Sequence, residues 1–86
     1  MPKICQFFGI VIYMYFRDHA PPHFHAKYGG QEGMIGLDPV TLIQGNLPPR
    51  VLGLVIEWAT MYSKELRNAW QQAAKGETPP KVPPLA

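Results

Sequence analysis

The residues best suited to chemistry lie between Arg17 and Tyr28, in a segment that holds all three histidines of the 86-residue chain. If residues 23–28 form a β-strand, successive side chains point to opposite faces of the sheet. One face would then pack into the core: Phe24, Ala26 and Tyr28. The other face would carry the functional groups: His23, His25 and Lys27. Two imidazoles and an amine on one face indicate a candidate site for catalysis or binding.

Cleavage of RNA without a metal ion is one reaction that these groups could catalyse. It requires a base for the 2′-hydroxyl proton, an acid for the leaving oxygen and cations for the phosphate. Histidine titrates in the useful pH range, so His23 and His25 are the candidate catalytic pair. Arg17 and Lys27 are the candidate phosphate contacts. The other six of the eight Lys and Arg residues are scattered along the chain, which argues against a dedicated phosphate-binding surface. A ribonuclease is therefore the alternative to a binding function.

A metal site is a second alternative for the same segment. Two histidines separated by one residue on a strand lie about 6–7 Å apart at Cβ, close enough to share a zinc ion. A third ligand would come from the loop before the strand, either His19 or Asp18. We take as the candidate set His19, His23 and His25. The loop would have to fold back at Pro21-Pro22, and the spacing matches no established zinc motif.

A structural role explains the same histidines without any chemistry. Histidines beside prolines can anchor a loop, because one ring nitrogen donates to and the other accepts from backbone groups that would otherwise lack partners. The face could also be covered by a partner protein, or by the chain's own Pro-rich C-terminal tail. No cofactor is predicted from the sequence.

The first half of the sequence predicts β-strands. Residues 4–8 and 10–16 are apolar runs rich in β-branched and aromatic side chains, and Gly9 between them marks a turn or a bulge. Gly29-Gly30 and Asp38-Pro39 mark two further turns. The remaining predicted strands are residues 23–28, 33–38 and 41–44.

The second half predicts helix. Apolar residues recur there at three- and four-residue steps, which indicates one buried helical face: Val51, Leu54, Val55, Trp58 and Tyr62. Ser63 could cap a second helix, or one helix could run through it, and the sequence favours a break or kink there. Gly76 marks the end of the helical region. A single domain would span residues 1–76, followed by a Pro-rich tail at 77–86 that is extended, polyproline-like or mobile.

Together these patterns predict an α+β fold. A small antiparallel sheet of four or five strands would occupy the N-terminal half, with a C-terminal helix or helix pair packed on one face. The opposite face of the sheet, which carries His23, His25 and Lys27, would then be uncovered.

The composition is that of a small globular domain, with 47% hydrophobic and 16% charged residues and a net charge of +2. That charge permits contact with RNA or DNA without demanding it. Cys5 is the only cysteine, which excludes an internal disulfide and indicates a cytoplasmic location. The apolar stretch at 4–16 is too short for a transmembrane helix, so no membrane association is predicted.

Several short motifs resemble one family. They are Ile-x-x-Phe-x-Gly-Ile starting at Ile4, Met14-Tyr15-Phe16 before an Asp-His, Pro21-Pro22-His23-Phe24-His25-Ala26, a later Leu-Pro, Glu57-Trp58, and Glu65-Leu66 with Trp70. From Pro2 to about Leu85 the chain resembles the family called domain of unknown function 4160. The resemblance implies a small cytoplasmic bacterial or archaeal protein, often encoded beside another small protein. Some of these proteins are described as components of toxin–antitoxin-like pairs, and no activity comes with the family.

We therefore expect a binding module that is one half of a two-protein pair. Its histidine-bearing sheet face would bind a small protein encoded nearby, with RNA or DNA as a second target. A homodimer is also compatible with the apolar surface that so small a domain leaves exposed. If the protein is an enzyme, the sequence favours a ribonuclease.

Overall fold

The computed structural model describes residues 2–85 of the chain. Five strands come first: β1 (Lys3–Phe7), β2 (Ile10–Tyr13), β3 (His23–Tyr28), β4 (Gln31–Leu37) and β5 (Val40–Gly45). Two helices follow: α1 (Pro49–Met61) and α2 (Ser63–Ala74). The strands form an antiparallel sheet in the order β1-β2-β3-β4-β5, so each strand pairs with its neighbours in sequence. The predicted α+β class is confirmed, with five strands and a helix pair.

Two-residue turns set the register of the sheet. Phe7 pairs with Ile10, so Phe8 and Gly9 form the first turn, and their φ angles are both positive, at 50° and 77°. Positive φ at both positions is the type I′ geometry that suits the twist of a hairpin. Gly9 therefore marks a turn rather than a bulge. The turn between β3 and β4 is Gly29-Gly30, as predicted.

β3 lies at the centre of the sheet, between β2 and β4, and it places the histidines among their neighbours. His25 pairs with Tyr13 on one side and with Met34 on the other. Lys27 pairs with Glu32. Directly opposed residues have their side chains on the same face of a sheet, so Glu32 joins His25 and Lys27 on one face.

The hydrophobic core lies on the other face of the sheet, against α1. Trp58 is fully buried and packs edge-on against Phe24, with ring centroids 5.5 Å apart. Phe24 and Ala26 face this core, as the alternation predicts. Tyr28 is 38% exposed, so the prediction that it is a core residue is wrong. It is the last residue of β3, and its ring lies beside Gly9 in the neighbouring turn.

The two helices are separate, which confirms the predicted break. α1 ends at Met61 and α2 begins at Ser63, but Tyr62 rather than Ser63 occupies the N-cap of α2. Gly76 has a φ of 82° and follows the end of α2, as predicted for a C-terminal stop. Within residues 2–85, neither helix has the length and apolar content that a membrane crossing requires.

The Pro-rich tail packs against the domain along the β1 edge of the sheet. The backbone N–H of Val82 donates to the carbonyl of Ile4 at 2.9 Å. The indole N–H of Trp58 donates to the carbonyl of Pro83 at 2.8 Å. Val82 and Leu85 are buried among the core residues. The tail therefore covers Trp58 and one edge strand rather than the histidines.

The face that carries the histidines is not open. His23 and His25 are only 1% and 8% exposed, so the prediction of an uncovered face is wrong for these two residues. The segment between β2 and β3 folds back over the strand, and Tyr15 packs against His25 with ring centroids 4.3 Å apart. Trp70 of α2 packs against His23 at 5.1 Å. Lys27, nearer the end of the strand, remains exposed.

Candidate metal centre

Three side chains converge where the loop between β2 and β3 returns to the sheet. Asp18 comes from the loop, and His23 and His25 come from the same face of β3. Oδ2 of Asp18 lies 2.9 Å from Nε2 of His23 and 3.4 Å from Nε2 of His25. One potential ligand atom from each of the three residues lies within 4.8 Å of the other two. The strand supplies two of these groups by alternation, and the loop supplies the third.

The far side of each imidazole also faces an acceptor. Nδ1 of His23 lies 2.6 Å from the carbonyl oxygen of Pro21. A carbonyl oxygen only accepts hydrogen bonds, so Nδ1 of His23 carries a proton and donates it. Nδ1 of His25 lies 3.2 Å from Oε2 of Glu32, so His25 lies between the carboxyl groups of Glu32 and Asp18.

This arrangement places each imidazole between two acceptors. A neutral imidazole has one N–H, so it can satisfy only one of them. For His23 the proton lies on Nδ1, and the lone pair on Nε2 then points at the carboxylate of Asp18. Two lone pairs that face each other repel, unless a positive charge lies between them. That charge can be a proton on each Nε2 or a single metal ion bound by both nitrogens and by Asp18.

Asp18 is held as a carboxylate. Burial raises its pKa, but the hydrogen bond from the backbone N–H of His19 and the contacts with His25 and His23 outweigh that effect. The pKa of Asp18 therefore lies below its usual value. The N–H of His19 donates to Oδ1 at 2.8 Å, which leaves Oδ2 turned towards the two imidazoles.

Aromatic rings surround the cluster. Tyr15 covers His25 and Trp70 covers His23. The pKa of Tyr15 is raised by burial and by the negative charges of Glu32 and Asp18, so its phenol stays neutral. The rings reduce access of water to the cluster, which strengthens the electrostatic interactions within it.

The structure brings Asp18, rather than His19, to the two Nε2 atoms. The His19 side chain is 79% exposed, and its Nδ1 lies 3.0 Å from Oδ1 of Asp18, the carboxylate oxygen that does not contact the two imidazoles. The third potential ligand of the described cluster is therefore Asp18, the other residue that the sequence analysis considered for this position.

The two candidate phosphate contacts lie at different places. Nζ of Lys27 lies 3.9 Å from Oε1 of Glu32 and 5.8 Å from the ring centroid of Tyr13. The backbone N–H of Arg17 donates to the carbonyl of Ala73 at 2.9 Å. The Arg17 guanidinium is so close to Gly76 that a Cβ there would fall 2.6 Å from one of its nitrogens. Arg17 thus contacts the C-terminal end of α2.

Glu32 belongs to the site, although it is not among the residues predicted from the sequence. A two-residue turn at Gly29-Gly30 puts Lys27 opposite Glu32, and therefore Glu32 on the histidine face, so the hairpin already contained that signal. Glu32 is also one wall of a cavity of about 210 Å³ beside His25. The Glu32 side chain is 40% exposed, so solvent screens the contact between Glu32 and His25 more than the contact between Asp18 and His25.

Comparison with known proteins gives a family. A family described as Domain of unknown function (DUF4160) matches residues 9–71, a stretch that includes every residue of the cluster. No curated protein and no solved structure matches the chain significantly. The match covers well over half of the 86 residues. The chain therefore belongs to the family described as Domain of unknown function (DUF4160).

Proposed function

We propose that this protein binds a divalent metal ion through Asp18, His23 and His25. The observation that carries the proposal is that each imidazole lies between two acceptors, with both Nε2 atoms directed at one carboxylate oxygen. A single metal ion bound by both Nε2 atoms and by Asp18 would remove the repulsion between the ring lone pairs and the carboxylate. Metal-bound histidines characteristically donate their other ring N–H to a carbonyl or carboxylate, which is the role that Pro21 and Glu32 have here.

The spacing of the ligand atoms supports the proposal. Two ligand atoms about 2.05 Å from one tetrahedral zinc ion are about 3.3 Å apart. The two distances from Asp18 Oδ2 to the imidazoles, 2.9 Å and 3.4 Å, lie on either side of that value. Imidazole and carboxylate ligands suit zinc and its neighbours Fe²⁺, Co²⁺ and Ni²⁺, and they do not suit a soft ion such as Cu⁺.

Protons are the competing explanation for the same geometry. Two imidazolium rings would satisfy all three acceptor atoms, which are the Pro21 carbonyl oxygen, Oε2 of Glu32 and Oδ2 of Asp18. However, His23 is 1% exposed, and burying a charged ring is costly unless it is well paired. Asp18 Oδ2 would be the partner of both rings at once. A divalent ion needs only one buried charge centre, with three ligands around it.

The other functions expected from the sequence stay predictions. A metal-independent ribonuclease needs imidazoles that reach the substrate, yet both Nε2 atoms face Asp18 and both rings are buried. A partner protein of a toxin–antitoxin-like pair would contact the exposed parts of this face, such as Lys27, instead of His23 and His25 themselves.

The metal site can be tested with untagged protein, because a histidine tag would bind ions itself. We expect protein purified without chelator, or loaded with zinc and desalted, to hold one ion per chain by elemental analysis. Asp18→Asn removes a charged ligand without changing the size of the side chain, and it should abolish stoichiometric binding. Asp38→Asn is the matched control, because Asp38 is an exposed residue of the β4–β5 turn. Equal zinc content in the two variants, or none in the wild type, would reject the proposal.

A further inference from the structure

Both oxygens of the Asp18 carboxylate have polar partners, and His19 contacts Oδ1. Oδ2 faces His23 and His25, while Oδ1 accepts the backbone N–H of His19 and lies 3.0 Å from its Nδ1. The imidazole of His19 therefore contacts the same carboxylate that would bind the ion.

The ring of His19 is almost as close to the cluster as the cluster's own rings are to each other. The ring centroids of His19 and His23 are 5.8 Å apart. Those of His23 and His25, which would share the ion, are 5.1 Å apart. A change of side-chain rotamer moves the ring nitrogens, and the small difference between these two centroid distances favours His19 as a further ligand of an ion held by the other three residues.

Little holds His19 in its present orientation. Its side chain is 79% exposed, whereas that of Asp18 is 13% exposed. Solvent therefore reaches the contact from the His19 side and screens it. A bond from a neutral imidazole to a divalent ion is stronger than this contact with Asp18. Binding of an ion would therefore favour a rotamer of His19 that turns the ring towards the ion.

We propose that His19 is the fourth ligand of the ion, which gives a site of three imidazoles and one carboxylate. This rests on the metal site proposed above. The ring exchanges its contact with Oδ1 of Asp18 for a bond to the ion, and the proton on the ligating nitrogen, if present, passes to solvent. Sites with four protein ligands are closed and structural, whereas catalytic zinc sites keep one position for water. The ion in this protein would thus join the loop to β3 and leave no position for a substrate.

Cobalt(II) absorption distinguishes a closed site from an open one. Cobalt replaces zinc in such sites, and its visible absorption changes with the number and type of its ligands. The experiment titrates metal-free wild type and His19→Ala with cobalt, records the spectra and then adds azide as a small anionic ligand. Because His19 is exposed, the substitution leaves the fold intact.

We expect His19→Ala to bind cobalt at least about tenfold more weakly, since even changes outside the ligand shell cause losses of that size. We also expect azide to change the spectrum of His19→Ala but not that of the wild type. Equal affinities, or an azide response in the wild type, would overturn the assignment of His19 and leave the three-ligand site intact. Absence of cobalt binding by the wild type would overturn the metal site and His19 with it.

Discussion

Nδ1 of His23 lies 2.6 Å from the carbonyl oxygen of Pro21, and this contact determines what the opposite side of the ring can do. The proton stays on Nδ1, so Nε2 either presents a lone pair or binds a proton or a metal ion. Because Pro21 belongs to the loop and His23 to the sheet, the contact also fixes the loop on the strand. The hydrogen bonding of this one ring is therefore linked to the position of the loop between β2 and β3.

Binding of an ion should for this reason stabilise the fold. A ligand that binds only the native state adds about 2.7 kcal/mol when its concentration is 100 times Kd. Each kcal/mol raises the Tm of a domain of this size by roughly 4–8 °C. We expect saturating zinc to raise the Tm of chelator-treated protein by roughly 10 °C or more, measured by circular dichroism. Asp18→Asn should show no rise and Asp38→Asn the full rise. A rise of equal size in both variants would place the ion elsewhere.

Glu32 should tune the affinity of the site without being a ligand. It contacts Nδ1 of His25, on the side of the ring away from Asp18. Loss of such an outer hydrogen-bond partner typically lowers metal affinity about 10- to 100-fold. Because Glu32 is partly exposed, we expect Glu32→Ala to lower the metal affinity about tenfold. Glu32→Gln should lose less, since its amide oxygen still accepts. Glu57→Ala, on the exposed side of α1, is the control. Affinities can be measured by calorimetry, and no change in Glu32→Ala would remove Glu32 from the site.

Asp18 should also contribute to the stability of the metal-free protein at acid pH. Its folded-state pKa lies below the ordinary value of 3.8, so the folded state binds fewer protons than the unfolded state in that range. The contribution of Asp18 is therefore fully present above pH 3.8 and is lost as the pH falls below it, through the folded-state pKa. Urea unfolding between about pH 5 and pH 2 should show a shallower loss of stability for Asp18→Asn than for the wild type. Asp38→Asn provides the comparison, and parallel curves for Asp18→Asn and the wild type would contradict the assignment.

The strands, the helices and the pairing of the histidines could be predicted because each depends on local patterns. Alternation along β3 places His23 and His25 on one face, and turn residues define the hairpins. Three- and four-residue spacing identifies the face of α1 that buries Trp58. These are properties of short segments, and they do not depend on how distant parts of the chain meet.

The covering of the histidines could not be predicted in the same way. It depends on the path of the loop, which is fixed by tertiary contacts: Asp18 to the imidazoles, Arg17 to the end of α2, and Trp70 to His23. No regular pattern of residue types in the sequence predicts any of these contacts. Glu32 is different, because the two-residue turn at Gly29-Gly30 fixes the register of the hairpin and so pairs Glu32 with Lys27.

Phe8 occupies a backbone conformation that suits asparagine better. It has a φ of 50° in the type I′ turn, and its side chain is 60% exposed. Asn-Gly is the preferred pair for such a turn, and positive φ costs a bulky residue on the order of 1 kcal/mol. Phe8→Asn should therefore raise the free energy of unfolding by about 1 kcal/mol in urea titrations. Phe16→Asn replaces another exposed phenylalanine without this strain, and it should give no such gain. A loss of stability in Phe8→Asn would show that the ring packs usefully.

Bulk RNA tests the remaining enzymatic alternative. If the histidines bind a metal or hold the loop, their rings do not reach a phosphodiester, because both are buried and both Nε2 atoms face Asp18. We expect the wild type in the presence of chelator to degrade RNA no faster than His25→Gln of confirmed fold, as resolved on denaturing gels. Metal-independent acid–base catalysis would instead give chelator-resistant cleavage by the wild type that His25→Gln lacks. That result would mean that the loop opens in solution and that the imidazoles act on the substrate directly. A ribonuclease function would then be the better explanation of the histidines than a metal site.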